Sequence, residues 1–214
     1  AVTAGVETTL GATRAFLLAM LLHPEIQKRA QEELDCVVGN DRLPMMEDRP
    51  NLPYLDAVIK ETLRWRPVSP ISVPTAVAMD DVYEDINIHK GTIVIQNNWA
   101  ISRDPTTYGK PETFCPERWL TPNPPTDSRL WAFGIGRRIC PGIAYAETLY
   151  TTLFMTILAT VDIVRATGPD GMDIHVSEKA PTNGRVACVP TPFSYRLLPR
   201  SADVRSLLCE GSAA

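Results

Sequence analysis

The chain has 214 residues, of which 44% are hydrophobic, and it carries a formal net charge of -4 at pH 7. This length fits one domain or two small ones, and the apolar fraction is ordinary for a protein that buries a core. The charge provides no basic patch for nucleic acid, so we exclude nucleic acid as a partner. Five scattered cysteines without a C-x-x-C pair predict neither a disulfide framework nor a zinc site, and they favour a reducing compartment.

The first third of the chain predicts three helices. Residues 1–22 form the first. The second begins at His23-Pro24-Glu25, where proline takes the first helical position and glutamate the first turn, and it ends at Gly39-Asn40. The third runs from Tyr54 to Trp65 and is terminated by Pro67.

After these helices the pattern predicts a small sheet, a long irregular region and one more helix. The predicted strands are Val73 to Ala78, Tyr83 to Ile88 and Thr92 to Gln96. Residues 98–139 are rich in proline and are predicted to be mostly irregular. The last predicted elements are a helix from Ala144 to Val164 and a terminal hairpin from Val186 to Leu197. The fold class is therefore mainly α with a minor β-sheet.

Two features concern the context of the chain. Its longest apolar runs, Ala15 to Leu22 and Leu149 to Val161, are shorter than the ~20 residues that span a bilayer, so no membrane span is predicted. The sequence lacks an initiator methionine and begins directly in a predicted helix. We therefore expect a fragment of a longer protein.

The segment from Phe133 to Gly142 reads F-G-I-G-R-R-I-C-P-G and places three glycines and one proline around Cys140. Gly134 and Gly136 can adopt backbone angles that are closed to other residues, and they leave no side chain between the loop and a flat ligand. The pattern predicts that the loop lies against a large group, with Cys140 pointing at it.

Two neighbours favour the thiolate form of Cys140. The positive end of the following helix and the guanidinium of Arg138 both stabilise negative charge. Arg138 can also bind a carboxylate through two parallel hydrogen bonds. The alternative is a glycine-rich turn around a buried, inert cysteine, and the order F-G-x-G-x-R-x-C-x-G favours the ligand interpretation.

The first predicted helix has one face with almost no bulk. A face that packs on a core carries Leu, Ile or Val, so small residues indicate a partner that lies flat against the backbone. The Thr8 hydroxyl, next to Glu7, can bond to the Ala4 carbonyl or release it and leave space for water and a proton path. The alternative is an ordinary polar turn. The residues of this small-residue stripe are Ala1, Ala4, Gly5, Thr8, Gly11 and Ala12.

Glu61 and Arg64 are three residues apart in the third predicted helix, and Arg118 lies in the segment C-P-E-R-W. A Glu–Arg pair at this spacing is usually a surface ion pair worth about 0.2–0.5 kcal/mol. The second interpretation is a buried network of three side chains that Arg118 closes. The residues alone leave both interpretations open.

The elements A-G-x-E-T-T, E-x-x-R, P-E-R-W and F-G-x-G-x-R-x-C-x-G occur in this order, and that order resembles the cytochrome P-450 superfamily of haem-thiolate monooxygenases. The resemblance covers essentially the whole chain and implies the C-terminal portion of that fold. The phrases L-R-W-R-P, N-W-A and R-D-P are similar to those of fungal microsomal members.

The resemblance assigns a part of the family fold to each segment. The implied parts are the end of the distal helix in residues 1–22, the E-x-x-R helix in 51–66, the meander in 98–130, the haem-binding cysteine loop in 131–142 and the proximal helix in 143–164. Glu61, Arg64 and Arg118 are implied to form the structural network that holds the meander and the cysteine loop.

The resemblance also implies haem b as the cofactor. Cys140 is implied to be the axial ligand of the haem iron, where a thiolate favours cleavage of the O–O bond. Thr8, helped by Glu7, is implied to deliver protons to the oxygen. Arg138 is implied to bind a haem propionate. The other residues implied to contact the cofactor are Phe133, Gly136, Gly5 and Ala4.

The implied reaction inserts one oxygen atom of O₂ into a small apolar organic substrate. NADPH-cytochrome P-450 reductase is the implied electron donor, because the sequence has no nicotinamide or flavin fingerprint. Val68 to Val73 and Thr182 to Val186 are the implied substrate-contacting segments. Thr75 stands where many members carry an Arg or His that reaches a propionate, so that contact is expected to be weaker or absent. The full-length parent is expected on the cytosolic face of the endoplasmic reticulum membrane, held by an N-terminal anchor outside this chain.

Two further hypotheses belong to different classes. One is a non-catalytic fragment that at best binds haem, because the N-terminal half of the family fold is missing and the chain is then expected to be inactive. The other is an isomerase or dehydratase acting on a peroxide. The intact Glu7-Thr8 pair argues against the latter, because such an enzyme has less need of a proton relay.

Overall fold

The computed structural model describes residues 2–178, 182–184 and 187–210. Most of the regular structure in these ranges is helical, which confirms the predicted class. The α-helices are α1 (Val2–Leu22), α2 (Pro24–Val38), α3 (Pro53–Trp65), α4 (Asn98–Ser102), α5 (Pro105–Tyr108), α6 (Arg129–Ala132), α7 (Ile143–Thr160) and α8 (Val204–Glu210). Shorter 3₁₀ turns are Met46–Asn51, Pro116–Leu120 and Gly136–Arg138.

The described strands form small antiparallel pairs rather than one continuous sheet. Each pair closes a local corner of the helical body. The pairs are β1 (Thr75–Ala76) with β4 (Ile93–Val94), β2 (Asp81–Tyr83) with β3 (Ile86–Ile88), β5 (Val161–Arg165) with β8 (Tyr195–Pro199), and β6 (Thr182–Gly184) with β7 (Cys188–Pro190).

The core lies between α1, α2, α3 and α7. The second half of α1 is apolar on every side and is buried, as expected for a helix without a polar face. Its Phe16 stacks on Phe154 of α7 with ring centroids 3.9 Å apart and an angle of 7° between the planes. This contact joins the first and last long helices of the chain.

The first half of α1 is different, because its apolar side chains are exposed. Val6 is 61% exposed and Leu10 is 44% exposed. The stretch Gly5–Leu22 is nevertheless long and apolar enough to cross a membrane by length and composition, and half of it is buried in the protein. A buried core helix meets the same criterion of length and composition, so the expectation that the chain carries no membrane span stays a prediction.

Two side chains of α2 cover the outer edge of β5. Gln27 accepts a hydrogen bond from the Ile163 backbone N–H at 2.7 Å and donates one to the Ile163 carbonyl oxygen at 3.1 Å. Gln31 donates to the Val161 carbonyl oxygen at 3.2 Å. The two amides thus occupy the backbone groups that a neighbouring strand would use.

The helix predicted from Ala144 to Val164 is wrong at its C-terminal end. α7 ends at Thr160, and the following five residues form β5. The β-branched residues there pair with β8, and Gln27 holds the backbone of Ile163. Tertiary pairing therefore determines this boundary.

The predicted terminal hairpin from Val186 to Leu197 is also wrong. β7 pairs back with β6, whereas β8 pairs with the distant β5. Pro190 ends β7 and Pro192 follows it, and neither has an N–H group for a ladder hydrogen bond. Residue 186 itself lies outside the described residues.

The strand predicted from Tyr83 to Ile88 is divided into two. Glu84 has a φ of 50°, which turns the chain so that Tyr83 pairs with Ile86. The strands predicted from Val73 to Ala78 and from Thr92 to Gln96 shrink to β1 and β4. Residues 98–139 are more ordered than predicted, because short helices interrupt the irregular chain.

We predict that Phe154→Ala lowers the free energy of unfolding by about 3–5 kcal/mol, because it leaves a cavity against Phe16 in a core that cannot fully collapse. Phe154 is 1% exposed and Phe16 is 0% exposed. Urea unfolding followed by circular dichroism measures the change. The control is Met172→Ala, at a residue that is 69% exposed. Equal midpoints for both variants would show that the stack does not stabilise the fold.

Candidate functional site

Residues 133–142, which lie within the predicted segment 131–142 and are called the cysteine loop from here on, form a tight turn that leads into α7. Gly134 and Gly136 have φ values of +80° and +62°, which side chains rarely tolerate. The Cys140 N–H donates to the Phe133 carbonyl oxygen at 2.8 Å, and the Cys140 carbonyl oxygen accepts from Ile143 at 3.3 Å. Cys140 is thus fixed at both backbone groups, immediately before the positive end of an eighteen-residue helix.

Several large apolar side chains close to Cys140 in the sequence are exposed. Such a set is unusual on a protein surface and indicates a face that another group covers. The thiol of Cys140 is half-buried and forms no disulfide. The exposed apolar neighbours in sequence are Ile135 (64%), Ile139 (45%), Tyr145 (74%) and Leu149 (38%).

These residues fit a haem group held by one thiolate. A Cβ placed on Gly136 would meet no heavy atom within 4 Å, so the loop presents bare backbone to its surroundings. Within the described ranges no three His, Cys, Asp or Glu side chains are placed to hold a metal ion together. A haem iron needs no such group, because the porphyrin supplies most of its ligands.

Two other predicted site residues of the cysteine loop, Arg138 and Phe133, differ in their exposure. The Arg138 side chain is exposed and forms no ion pair with the described residues, so its guanidinium is available to an anion. Phe133 is half-buried and packs against the main core. Phe133 thus fixes the start of the loop to the core, whereas Arg138 is exposed near its middle.

The small-residue stripe of α1 divides into two parts. A Cβ placed on Gly5 would meet nothing within 4 Å, whereas one on Gly11 would lie 3.1 Å from Val68 and 3.3 Å from the Cys188 carbonyl oxygen. The prediction that a partner lies flat on the whole stripe was therefore wrong at Gly11, because β7 and the Val68 segment of the protein itself cover it. The open part is the first turn or two.

Glu7 and Thr8 are exposed on this open part of α1. One turn further on, the Thr13 hydroxyl donates to the Thr9 carbonyl oxygen at 2.9 Å, which is the back-bonding that the sequence analysis assigned to Thr8. Ala4 belongs to α1, but its side chain is not among those that the structure describes. Ala1 lies outside the described residues. No described hydrogen bond links Glu7 to the cysteine loop. The delivery of protons by Thr8 with the help of Glu7 therefore stays a prediction.

Glu61 and Arg64 are fully buried and bonded to each other. Arg64 donates to the two carboxylate oxygens of Glu61 at 2.8 and 2.9 Å, and both side chains are 0% exposed. Arg64 also donates to the carbonyl oxygens of Ser102, Pro111 and Thr113. The surface ion pair is therefore the wrong interpretation of this spacing.

Arg118 joins the same carboxylate, at 3.1 Å from Glu61. Two further donors reach Glu61, the backbone N–H of Cys115 at 2.8 Å and the Trp119 indole N–H at 3.1 Å. Sequence reasoning missed both of them. Trp119 directly follows Arg118, and a tryptophan beside a buried charge was the available signal, since a buried indole N–H needs an acceptor.

Sequence reasoning also missed a second charged cluster, at the entry of the cysteine loop. Arg129 donates to the Asp127 carboxylate at 2.6 Å and to Asp56 of α3 at 3.2 Å. Its Nε lies 3.8 Å from a carboxylate oxygen of Glu147 on α7. Asp56 also pairs with Lys60 at 2.9 Å. We call these five residues the Arg129 cluster.

The charges of the Arg129 cluster reinforce one another. Burial by itself would raise the pKa of Asp56, but the hydrogen bond from Lys60 and the charge of Arg129 hold that pKa below its usual value. Burial acts likewise on Asp127, whose pKa is nevertheless lowered by its hydrogen bonds with Arg129. Both carboxylates are therefore ionised well into the acidic range.

The comparisons with known proteins agree with this geometry. The sequence model of the family described as Cytochrome P-450 matches residues 1–173. The chain belongs to the cytochrome P-450 family. Among curated relatives it is 41% identical over 208 residues to cytochrome P-450 monooxygenase claR of Ampulloclitocybe clavipes, and 42% identical over 210 residues to cytochrome P-450 monooxygenase ple1 of Rhodocybe pseudopiperita.

A solved structure of a zebrafish cytochrome P-450 with abiraterone matches with a TM-score of 0.80 and 37% identity. The match covers 92% of this chain and 46% of that one. The two fungal alignments cover 95% and 96% of this chain but only 38% and 40% of the relatives. The chain thus spans about two fifths of the length of these family members.

We predict that Glu61→Gln destabilises the fold by about 3–5 kcal/mol, because it leaves the buried guanidinium of Arg64 without its counter-charge. Chemical unfolding gives the free energy. Glu32→Gln is the matched control, because that carboxylate is 64% exposed and its pair with Lys28 is 3.9 Å long. Its loss is expected to stay below about 0.5 kcal/mol. Similar losses for the two variants would contradict a structural role of the buried charge.

We predict that acid destabilises the protein partly through the Arg129 cluster. A carboxyl whose folded pKa lies below its unfolded value of about 3.9 contributes stability above that pH, and this contribution is lost as the pH falls through the folded pKa. Asp56 and Asp127 have this sign. Unfolding between about pH 6 and pH 2 should therefore show a shallower loss in Asp127→Asn than in the parent. An equal slope in Asp127→Asn and in the parent would show that the Arg129 cluster does not contribute to the loss of stability in acid.

Proposed function

We propose that this chain is the haem-binding C-terminal part of a haem-thiolate monooxygenase. The observation that carries the proposal is Cys140, whose backbone is fixed just before α7 in a bare glycine loop, with exposed apolar side chains nearby in the sequence. When bound, haem b would supply the iron at which O₂ is activated. One oxygen atom then enters a small apolar organic substrate.

The residues of this chain would hold and orient that cofactor. Cys140 is the single protein ligand of the metal, and Arg138 offers its unpaired guanidinium to a propionate. Phe133 and Gly136 supply an apolar wall and a bare backbone on the thiol side. Gly5 and Ala4 of α1 would be further contacts of the cofactor. Glu61, Arg64 and Arg118 keep the segment before the loop in place, and so act in folding and cofactor retention rather than in chemistry.

Proton delivery falls to Thr8, helped by Glu7. Both side chains are exposed on the part of α1 that the rest of the described chain leaves open. A threonine hydroxyl accepts and donates a proton at the same oxygen, and a neighbouring carboxylate replenishes it from solvent. The substrate would contact this part of α1, the Val68–Val73 segment and the hairpin that contains Thr182.

Electrons would come from NADPH-cytochrome P-450 reductase, since the haem group needs an external donor. The proposed location of the full-length parent is the cytosolic face of the endoplasmic reticulum membrane. Catalysis would need that longer parent.

A second candidate function is a non-catalytic fragment that at best binds haem. The observation in its favour is coverage, because the chain spans 38% and 40% of two curated relatives. The large exposed apolar set around Cys140 and on α1 agrees with it, because a missing half of the fold would cover the same surfaces. The two candidates share the cysteine loop and differ in whether haem binds to this chain alone.

We predict that the chain reconstituted with haem, reduced and saturated with carbon monoxide, gives the red-shifted Soret band of thiolate ligation. Cys140→Ser should abolish that band because serine has no thiolate to offer the iron. Cys115→Ser is the control, at another half-buried cysteine that lies in a different loop. Equal spectra for Cys140→Ser and the parent would refute the ligand assignment. A parent without the band would favour the fragment function.

A further inference from the structure

Few hydrogen bonds fix the cysteine loop to the rest of the protein. Those that residues 133–142 make with described residues run within the loop, to Trp131 before it, or into the first turn of α7. Only the half-buried Phe133 reaches the core. The position of Cys140 therefore depends on how the two flanks of the loop are held.

The flank before the loop is tightly held. The Ser128 hydroxyl donates to the Lys60 carbonyl oxygen at 2.7 Å, and the Trp131 indole donates to the Tyr108 hydroxyl at 2.9 Å. Gln96 donates to the Trp131 carbonyl oxygen at 2.9 Å. These bonds attach residues 128–131 to α3 and to the segment that contains Tyr108, but none of them reaches α7.

Arg129 is the described side chain that connects the two flanks through an ion pair. It precedes the loop, and its Nε lies 3.8 Å from Glu147, four residues after the start of α7. The N–H of that Nε donates to the Asp127 carboxylate at 3.1 Å, so the contact with Glu147 is an ion pair without a hydrogen bond. The other two nitrogens reach Asp127 and Asp56, so the guanidinium also fixes both flanks to α3. Asp56 is in turn held by Arg49 at 3.0 Å and by Lys60 at 2.9 Å.

The geometry suits arginine better than lysine. A guanidinium has five N–H donors in a rigid plane and can bond two carboxylates while it attracts a third by charge, whereas an ammonium is a point charge on a flexible stem. The side chains of Arg129, Asp56, Asp127 and Glu147 are 21%, 22%, 27% and 25% exposed, so solvent only partly screens the cluster. Its attraction is therefore stronger than that of a surface pair.

We propose that Arg129 is a positioning residue for Cys140, which acts by tying Asp127 before the cysteine loop and Glu147 after it to Asp56 on α3. The effect of Arg129 on haem ligation by Cys140 rests on the proposed function. The mechanical part, control of the loop by Arg129, is independent of haem. The two parts can be tested separately.

The first test measures amide hydrogen exchange across residues 133–142 in the haem-free chain. Arg129→Gln should speed exchange of the Cys140 amide about tenfold, because the loop opens when its flanks separate. Arg129→Lys should retain part of the protection. The matched control is Arg200→Gln, since Arg200 forms a paired contact with Asp35 at 2.6 and 3.0 Å and is 20% exposed. It should leave exchange in the loop unchanged.

Glu147→Gln covers the case in which Arg129→Gln does not fold. It weakens only the contact with α7 and keeps the pairs with Asp127 and Asp56, and it should speed loop exchange severalfold. Unchanged exchange in Arg129→Gln or, where that variant does not fold, in Glu147→Gln would overturn the proposal. Equal acceleration by Arg200→Gln would do the same, because it would show a global loss of stability.

The second test adds hemin and records the reduced, carbon-monoxide-bound spectrum. If the parent shows the thiolate band, Arg129→Gln should retain at most half of it and Arg129→Lys an intermediate share. A full band in Arg129→Gln would overturn the role of Arg129 in ligation. A parent without the band would count against the proposed function instead, and the exchange experiment would still decide whether Arg129 controls the loop.

Discussion

The carboxylate of Glu61 is the constraint on which this structure depends. A fully buried anion is tolerated only when charged partners and hydrogen-bond donors replace the water that it loses. Glu61 therefore requires Arg64, Arg118, the Trp119 indole and the Cys115 amide to converge on it. Because those groups come from α3 and the segment around Pro116–Leu120, one carboxylate fixes the path of a proline-rich stretch with little regular structure.

That fixed path determines where the cysteine loop starts. Tyr108, which lies beside the Glu61 network, accepts the hydrogen bond from Trp131, and the Arg129 cluster holds the adjoining residues against α3. Two separate polar clusters thus fix the segment that leads into the cysteine loop. The cysteine loop bonds mostly with itself, and these two clusters therefore explain how Cys140 is still held in a defined place.

The sequence predicted the parts of the fold that local chemistry determines. Pro24 predicts the start of the second helix and Pro67 the end of the third. The glycines around Cys140 predict the loop from the sequence alone. It did not predict the Arg129 cluster, because Arg129 and Asp56 are 73 residues apart and each looks like an ordinary surface charge. The end of α7 was missed for a related reason, since the apolar run that continues into β5 has no period to mark the change.

The pairing of Gln27 and Gln31 with β5 also protects the protein in solution. An uncovered strand edge is a template for another chain, and β5 is rich in the β-branched residues that favour such pairing. The carboxamide of Gln27 both donates and accepts, so it satisfies the backbone of Ile163 as a strand would, without being one. Two polar side chains on a helix thereby act as a guard against aggregation.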